Sequence, residues 1–283
     1  MKRAHKNRRR LANPAAKDYN AHKPRAYTRR EARTMNDISG FMRDELLCHG
    51  AALVGFGDLS ALPPGERAGM PVGVAVAVVY PGDVIRRIAN GPTAEYREHY
   101  DRLNEKLDML VTLGADALKA LGYQAIPQTR EVVRRGANAG QDAETLLPHK
   151  TVATRAGLGW IGKCALLVTR EYGSAVRISS ILTDAPLKTA RPVDGSRCGS
   201  CTACAEACPG HAVLGREWSA GIPREEFYDA ELCRTAARKQ SLAGFGADIS
   251  LCGKCIEICP HTRKYIIPSA SRPDSLGEDA PDR

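Results

Sequence analysis

The sequence predicts a layered α/β domain followed by a smaller, cysteine-rich domain. Segments with the apolar periodicity of helices and strands alternate between residues 36 and 182. Eight of the ten cysteines then lie between Cys198 and Cys259, beyond a stretch rich in Pro, Gly and charge at 188–197. We therefore expect a basic disordered tail at 1–34, an α/β cofactor or substrate domain at 35–190, the cysteine-rich domain at 191–267 and a disordered tail at 268–283.

Three helices are predicted in the first domain. Ile38–Cys48 has one apolar face and stops near a glycine. Gly91-Pro92 opens a long helix, because proline is favoured in a first helical turn. Gly114 should break or kink this helix and Gly122 should end it. Val152–Ala156 is expected to be a short helix.

Five strands are expected beside these helices. Ala51–Phe56 and Tyr123–Ile126 are short, whereas Val72–Tyr80 is apolar on both faces and has the pattern of a central strand. Ala165–Thr169 and Ala175–Leu182 are predicted to form a hairpin with each other, joined by residues 171–174.

The cysteines have ligand spacing for two iron–sulfur clusters. One run reads C-x-x-C-x-x-C-x-x-x-C-P and the other C-x-x-C-x-x-x-C-P. In two-cluster ferredoxins the cysteine before the proline ligates the other cluster. Zinc sites favour separated pairs, and disulfide frameworks belong to small secreted chains. The expected ligands of cluster one are Cys198, Cys201, Cys204 and Cys259, and those of cluster two are Cys208, Cys252 and Cys255, with Cys233 as a spare thiol for the vacant corner.

The two remaining cysteines, Cys48 and Cys164, lie in apolar stretches and are expected to be small buried hydrophobes. Cluster thiolates need a reducing compartment, so we expect the cytoplasm. The sequence has no apolar run as long as a membrane span, and no membrane partner is expected.

The excess positive charge lies in the N-terminal tail. Residues 1–34 contain twelve Lys or Arg against two acidic residues, whereas the rest of the chain is nearly neutral. Such a tail favours disorder. Three interpretations stay open: an arm that binds nucleic acid through phosphate contacts, a solvated extension without a partner, or a segment absent from the natural product, with Met35 as its start.

A glycine-rich motif at Gly157–Gly162 reads G-x-G-x-x-G. A dinucleotide site needs a strand before this motif and a helix after it, and the predicted order is the reverse. The glycines suit close approach to a flat ligand or to neighbouring backbone. Trp160 and Lys163 either line that ligand site or are a core residue and a surface residue, respectively.

The residues around this motif resemble the epoxyqueuosine reductases and their relatives. The resemblance rests on the segment His149–Lys163, with its AGLGW-x-GK core, on Leu166–Thr169, on Leu182-Thr183-Asp184 and on the order of the eight cysteines. It extends over roughly residues 36–265.

The resemblance implies a cobalamin-binding domain fused to a two-cluster ferredoxin-type module with two 4Fe-4S clusters. It supports Cys233 as the fourth ligand of cluster two. Electrons would pass from an external donor, such as a ferredoxin or flavodoxin, through both clusters to the corrinoid. A D-x-H-x-x-G motif is not found, so the corrin-binding mode that uses its histidine is not expected. The implied cofactor-binding residues are Gly157, Gly159, Trp160, Lys163, Val168 and Thr169.

The proton donor departs from the family pattern. The family's aspartate lies thirteen residues before the first alanine of AGLGW, a position that Ala143 occupies here. Asp142 and Glu144 flank it, and a one-residue gap would make Asp142 the acid. His149 replaces the acidic member of a typical acidic-basic pair. It is either a second candidate donor, because histidine titrates near neutrality, or a packing residue at a helix start.

Three functions therefore compete. The first is a cobalamin-dependent reductase of a small or nucleoside-type substrate. The second is a non-enzymatic electron carrier or corrinoid reactivator. The third is a genuine tRNA epoxyqueuosine reductase that uses the basic tail where relatives use a C-terminal helical-repeat region, since this chain stops soon after the second cysteine run.

Overall fold

The computed structural model describes residues 37–132 and 147–267. Both predicted tails, Asp142 and Glu144 lie outside these residues. The strands are β1 (Leu53–Asp58), β2 (Val72–Val79), β3 (Ala125–Pro127), β4 (Trp160–Ile161), β5 (Leu167–Val168) and β6 (Val176–Thr183). Four of them form one antiparallel sheet in the order β1-β2-β6-β3, and β4 pairs with β5.

The helices are defined by local capping as much as by packing. Thr93 caps the long helix by accepting a hydrogen bond from the Tyr96 amide, and Asp229 caps another by accepting from two amides. Among the described residues no helix is both long and apolar enough to cross a bilayer. The helices are α1 (Ile38–Cys48), α2 (Gly82–Arg87), α3 (Ala94–Ala120), α4 (His149–Arg155), α5 (Ala203–Glu206), α6 (Ala230–Phe245), α7 (Lys254–Glu257) and α8 (Pro260–Ile266), with a 3-10 turn at Arg224–Glu226.

Strand β2 is the central strand that the sequence predicts, because both of its faces are covered. Val74 and Val76 pack into one core with Leu46 of α1 and Leu110 of α3. Ala75 points to the opposite face, where the core contains Val152 of α4. The layered α/β fold class is therefore confirmed, with helices on both faces of the sheet.

A third core joins the sheet domain to the cysteine-rich part. Tyr80, Ile85 and Tyr96 are buried there with Ile256 of α7 and Ile266 of α8. The cluster-binding part therefore rests on the end of the sheet domain and is held there by apolar packing.

The prediction that Gly114 breaks the long helix is wrong. Helix α3 runs through it without interruption from Ala94 to Ala120. A Cβ atom at Gly114 would lie 2.7 Å from Cδ1 of Ile181 on β6. The glycine allows close packing of helix against sheet, and this packing outweighs its low helix propensity.

The predicted hairpin between 165–169 and 175–182 is also wrong in its pairing. Strand β5 pairs with β4, whereas β6 joins the main sheet between β2 and β3. The segment expected to form the turn of the hairpin contains only one isolated antiparallel bridge, between Thr169 and Gly173. The short helix predicted from Val152 begins earlier, at His149, after Pro148 in the N-cap position.

Candidate iron–sulfur centre and adjoining pocket

Short helices bring the two cysteine runs together. Cys204 lies in α5 and Cys255 in α7, and these two helices are in contact. Cys259 occupies the N-cap position of α8, directly before Pro260. Proline at the first helical position starts this helix without losing a hydrogen bond. The remaining cysteines of the pattern lie in the adjoining loops, at Cys198, Cys201, Cys208 and Cys252, and on α6, at Cys233.

The electrostatic neighbours of two partly buried thiols place six of the cysteines in two groups. Burial raises the pKa of Cys259, and the nearby Cys198 and Cys204 raise it further. Burial likewise raises the pKa of Cys252, and Cys233 and Cys208 add to that rise. Positive iron would offset this resistance to thiolate formation. Each group contains three of the four cysteines expected for one cluster under crossed ligation, and the ligand assignment itself stays a prediction.

The sulfurs surround a cavity of about 100 Å³, here called the cysteine cavity. Among residues 37–132 and 147–267, no three His, Cys, Asp or Glu side chains converge as they would on a single metal ion. The donor set, six thiols around one void, fits a multi-iron cluster with thiolate ligands. The lining residues are Gly162, Lys163, Cys164, Val168, Cys198, Cys201, Cys204, Cys255, Cys259, Pro260 and His261.

Cys164 belongs to this cavity, although it lies outside the two runs. Its thiol is buried and lines the cavity together with Cys204 and Cys255. The contact with Cys164 and burial raise the pKa of Cys204. The predicted burial of Cys164 is confirmed, but its place among the cluster cysteines was missed because only tertiary packing brings it there. Cys48 is exposed, and the prediction of its burial is wrong.

Lys163 also faces the cysteines and is not a surface residue. It is 6% exposed. Its Nζ donates hydrogen bonds to the carbonyl oxygens of Gly199, at 2.7 Å, and Cys201, at 2.9 Å. The side chain therefore fixes the loop that carries the first two cysteines of the first run.

The glycines of the G-x-G-x-x-G motif serve backbone approach. A Cβ atom at Gly159 would lie 2.1 Å from the carbonyl oxygen of Val168 across the β4–β5 pair. The order of elements around the motif is the reverse of a dinucleotide site, as predicted: α4 precedes it and β5 follows it. Trp160 is buried against the edge of His261, with ring centroids 4.9 Å apart.

The other residues implied in corrinoid binding lie near this hairpin. Val168 lines the cysteine cavity, and Thr169 is buried with its hydroxyl donating to the Gly173 carbonyl oxygen. Gly157 lines a separate cavity of about 170 Å³ beside Arg197. The structure thus gives several of these residues a supporting role at the cysteines, and their contact with a corrinoid stays a prediction.

A second pocket, of about 360 Å³, lies on the other side of the same hairpin and helix; we call it the cationic pocket. Its wall combines aliphatic side chains with basic and polar groups, and no carboxylate lines it among the described residues. The lining residues are Pro148, His149, Lys150, Leu166, Leu167, Ser174, Val176, Arg177, Ile178 and Ile256.

His149 is held neutral in this pocket. Its Nδ1 lies 2.9 Å from the Ser180 hydroxyl, which also accepts a hydrogen bond from the Gln128 amide at 2.7 Å. Burial, with a smaller effect from Arg177, lowers the pKa of His149 to about 4. The expectation that His149 titrates near neutrality is therefore wrong, because its imidazolium loses hydration in the pocket.

Two cations give the pocket its charge. Lys150 donates to the Ala165 carbonyl oxygen at 2.7 Å, and burial lowers its pKa. Arg177 donates to the side chain of Asn104 and lies 4.3 Å from the ring centroid of Tyr100. This arrangement suits a ligand with an apolar face and hydrogen-bond acceptors or negative charge at its edge. Arg177 was not among the predicted site residues, since the pattern of its strand alone does not indicate a pocket.

Comparison with known proteins agrees with the cysteine geometry. Residues 197–262 match the family described as the 4Fe-4S double cluster binding domain. The two cysteine runs of this chain therefore form a double 4Fe-4S domain, as predicted.

Curated relatives are named epoxyqueuosine reductase. The protein of Synechococcus sp. (strain CC9605) is 37% identical over 149 residues, which are 49% of this chain and 42% of the relative. That of Bacillus subtilis (strain 168) is 32% identical over 154 residues, which are 50% of this chain and 35% of the relative. The chain thus spans less than half the length of these relatives.

Solved structures share the fold. An epoxyqueuosine reductase with an epoxyqueuosine-modified tRNA-Tyr stem loop has a TM-score of 0.53 and 22% identity, covering 81% of this chain and 67% of its own. The catabolic reductive dehalogenase NpRdhA has a TM-score of 0.57 and 20% identity, covering 76% of this chain and 30% of its own. Another dehalogenase structure is described as suggesting a mechanism for B12-dependent dehalogenation.

Proposed function

We propose that this relative of the epoxyqueuosine reductases is an iron–sulfur reductase that passes electrons through two 4Fe-4S clusters to a corrinoid. The observation that carries the proposal is the adjacency of its two cavities. Cys255 lines the cysteine cavity, and the next residue of α7, Ile256, lines the cationic pocket. On the hairpin side, Val168 faces the cysteines and its neighbour Leu167 faces the pocket. One layer of side chains therefore separates the cysteine cavity, where a cluster would bind, from the cationic pocket.

The residues of the cationic pocket fit a corrinoid. Leu167, Val176 and Ile178 offer aliphatic contact for a flat macrocycle. Lys150 and Arg177 supply donors for the amide and phosphate groups at its edge. When bound, the corrinoid supplies a strongly reducing metal centre for the substrate.

In this proposal His149 helps to position the ligand and does not donate the proton to the substrate. A pKa of about 4 keeps its imidazole neutral at pH 7, with Nδ1 tied to Ser180. The proton for the substrate then comes from a carboxylic acid, for which Asp142 is the first candidate and Glu144 the second. An acid beside an apolar cofactor face has the raised pKa that proton donation at neutral pH requires.

The substrate class that we favour is a small or nucleoside-type molecule, reduced with electrons from a ferredoxin or flavodoxin. A genuine tRNA epoxyqueuosine reductase is the second candidate. It is favoured by the names of the curated relatives and by the basic residues at 1–34. Phosphate contacts from such a tail would make tRNA affinity strongly salt-dependent.

The first experiment tests the cofactors directly. The protein is reconstituted anaerobically with iron and sulfide, incubated with cobalamin, desalted, and its iron and cobalt are counted. About eight irons and one cobalt per chain are expected. Eight irons without cobalt would contradict the corrinoid proposal and favour an electron carrier.

The second experiment separates the substrates. Binding of an epoxyqueuosine-containing tRNA stem loop is compared between the full chain and a variant lacking residues 1–34, at two salt concentrations. Salt-sensitive binding that disappears with the tail, together with turnover of the stem loop, would establish the tRNA enzyme. Turnover of the free nucleoside alone would support the small-substrate proposal.

A further inference from the structure

Lys163 is a buried cation without a carboxylate partner. It is 6% exposed, and both of its hydrogen bonds go to backbone carbonyls of the loop at 199–201. Among the described residues no Asp or Glu forms an ion pair with it, and none lines the cysteine cavity. Lysine is seldom fully buried unless it is paired, because an ammonium loses much hydration energy in the interior.

The missing negative charge is available in the cavity that Lys163 lines. Three cysteines of the first run, Cys198, Cys201 and Cys204, line the same void. A 4Fe-4S cluster with four thiolate ligands carries net negative charge, and that charge increases when the cluster accepts an electron. An ammonium beside it in a poorly hydrated site therefore stabilises the reduced form more than the oxidised form.

We propose that Lys163 is the counter-charge of cluster one and raises its reduction potential. The two carbonyl bonds hold the ammonium on the loop between two ligands, while its charge acts on the cluster. Net charge and solvent exposure around a cluster are among the factors that set its potential.

The lysine near the other cluster has a different setting. Lys254, next to Cys255, lies 3.0 Å from the carboxylate of Glu257, which also pairs with Arg263. Glu257 is 5% exposed, so its carboxylate is buried, and it neutralises the charge of the more exposed Lys254. Of the two lysines, the one without a carboxylate partner among the described residues thus contacts the loop of the first cysteine run, and its effect should be largest on cluster one.

Two substitutions separate the charge of Lys163 from its hydrogen bonds. Lys163→Gln removes the charge but keeps an amide that donates to carbonyls, whereas Lys163→Arg keeps the charge. Lys188→Gln, which removes a lysine that is 75% exposed, controls for the loss of one positive charge from the chain. Each protein is reconstituted, its iron is counted, and its two cluster potentials are measured by anaerobic redox titration followed by electron paramagnetic resonance.

We expect about eight irons in all four proteins. In Lys163→Gln one of the two reduction waves should shift to more negative potential, and in Lys163→Arg and Lys188→Gln both waves should stay in place. Loss of about half the iron from Lys163→Gln but not from Lys163→Arg would also support the proposal, since the charge is then needed to retain the cluster. Unchanged potentials in Lys163→Gln would overturn it, as would an equal shift or iron loss in Lys163→Arg.

Discussion

Cys164 and Cys204 line one cavity, and the thiol of Cys164 raises the pKa of Cys204, so a cysteine outside the two runs interacts with one inside them. The contact raises the question of which thiols hold iron. Cys204 has the spacing of a cluster ligand, whereas Cys164 follows the glycine-rich motif and precedes a strand. We infer that Cys164 is a neighbour of the ligands.

This inference predicts different iron contents for two matched variants. Cys204→Ser should lose cluster one and retain about four irons, while Cys164→Ser should retain about eight. Iron and sulfide are counted after reconstitution and desalting. A variant that carries both substitutions, Cys164→Ser and Cys204→Ser, tests whether Cys164 replaces the missing ligand when Cys204 is absent. Loss of half the iron from Cys164→Ser alone would show that Cys164 is a ligand and that the sequence-based ligand set is wrong.

Burial of His149 predicts a stability that depends on pH. Its pKa is about 4 in the folded protein, against 6.5 as its ordinary value. The unfolded chain therefore binds more protons between these values, and stability is complete above about pH 6.5 and falls as the pH decreases towards 4. From pH 7.5 to 5.5 this one group should lower the free energy of unfolding by about 1 kcal/mol.

Urea unfolding of the reconstituted protein at the two pH values measures this loss. His149→Asn should remove about 1 kcal/mol of the pH dependence, whatever its effect on absolute stability. A parent-like pH dependence in His149→Asn would show that His149 does not change its protonation on folding.

Several elements could be predicted from sequence because their signals are local. The bounds of α1, Ile38–Cys48, agree with those predicted from its periodicity, and the all-apolar Val72–Val79 is indeed the central strand. The cysteine runs identify the double-cluster domain through spacing alone. In each case, neighbouring residues in the chain contain the information.

The features that the sequence did not predict depend on distant contacts. Strands β4 and β5 have two residues each, too few for a periodic pattern, and their pairing needs Gly159 against the Val168 carbonyl. Gly114 lies within a helix because Ile181, far along the chain, approaches it. The sequence left two places for Lys163, a ligand site or the surface. Its burial depends on hydrogen bonds to the loop at 199–201, which is distant in the chain.

The close approach at Gly159 predicts a large cost for a single methyl group. In Gly159→Ala the new Cβ would meet the carbonyl oxygen of Val168 at 2.1 Å, and a backbone atom cannot move aside as a flexible side chain does. We expect a loss of about 3 kcal/mol, at the upper end of overpacking costs, together with reduced iron retention because the hairpin lines the cysteine cavity. Gly65→Ala is the matched control, since nothing lies within 4 Å of a Cβ atom there. Equal unfolding midpoints for the two variants would contradict the packing described for the β4–β5 pair.

The last prediction concerns the cationic pocket and depends on the proposed function. Lys150 lines this pocket, is partly buried, and has a pKa that this burial lowers. Lys150→Met preserves the aliphatic stem and removes the donor that we assign to the edge of the corrinoid. Cobalt retained after desalting should fall several-fold, whereas iron should stay near eight per chain, because Lys150 does not line the cysteine cavity.

Lys188→Met provides the control for Lys150→Met, because Lys188 is exposed and pairs with Asp37 away from the pocket. Its cobalt and iron contents should both equal those of the parent. Unchanged cobalt in Lys150→Met would remove Lys150 from the proposed corrinoid contacts and leave Arg177 as the basic group to test. Joint loss of cobalt and iron would instead mean that Lys150 supports the hairpin through its bond to the Ala165 carbonyl, and that the two cavities depend on one wall.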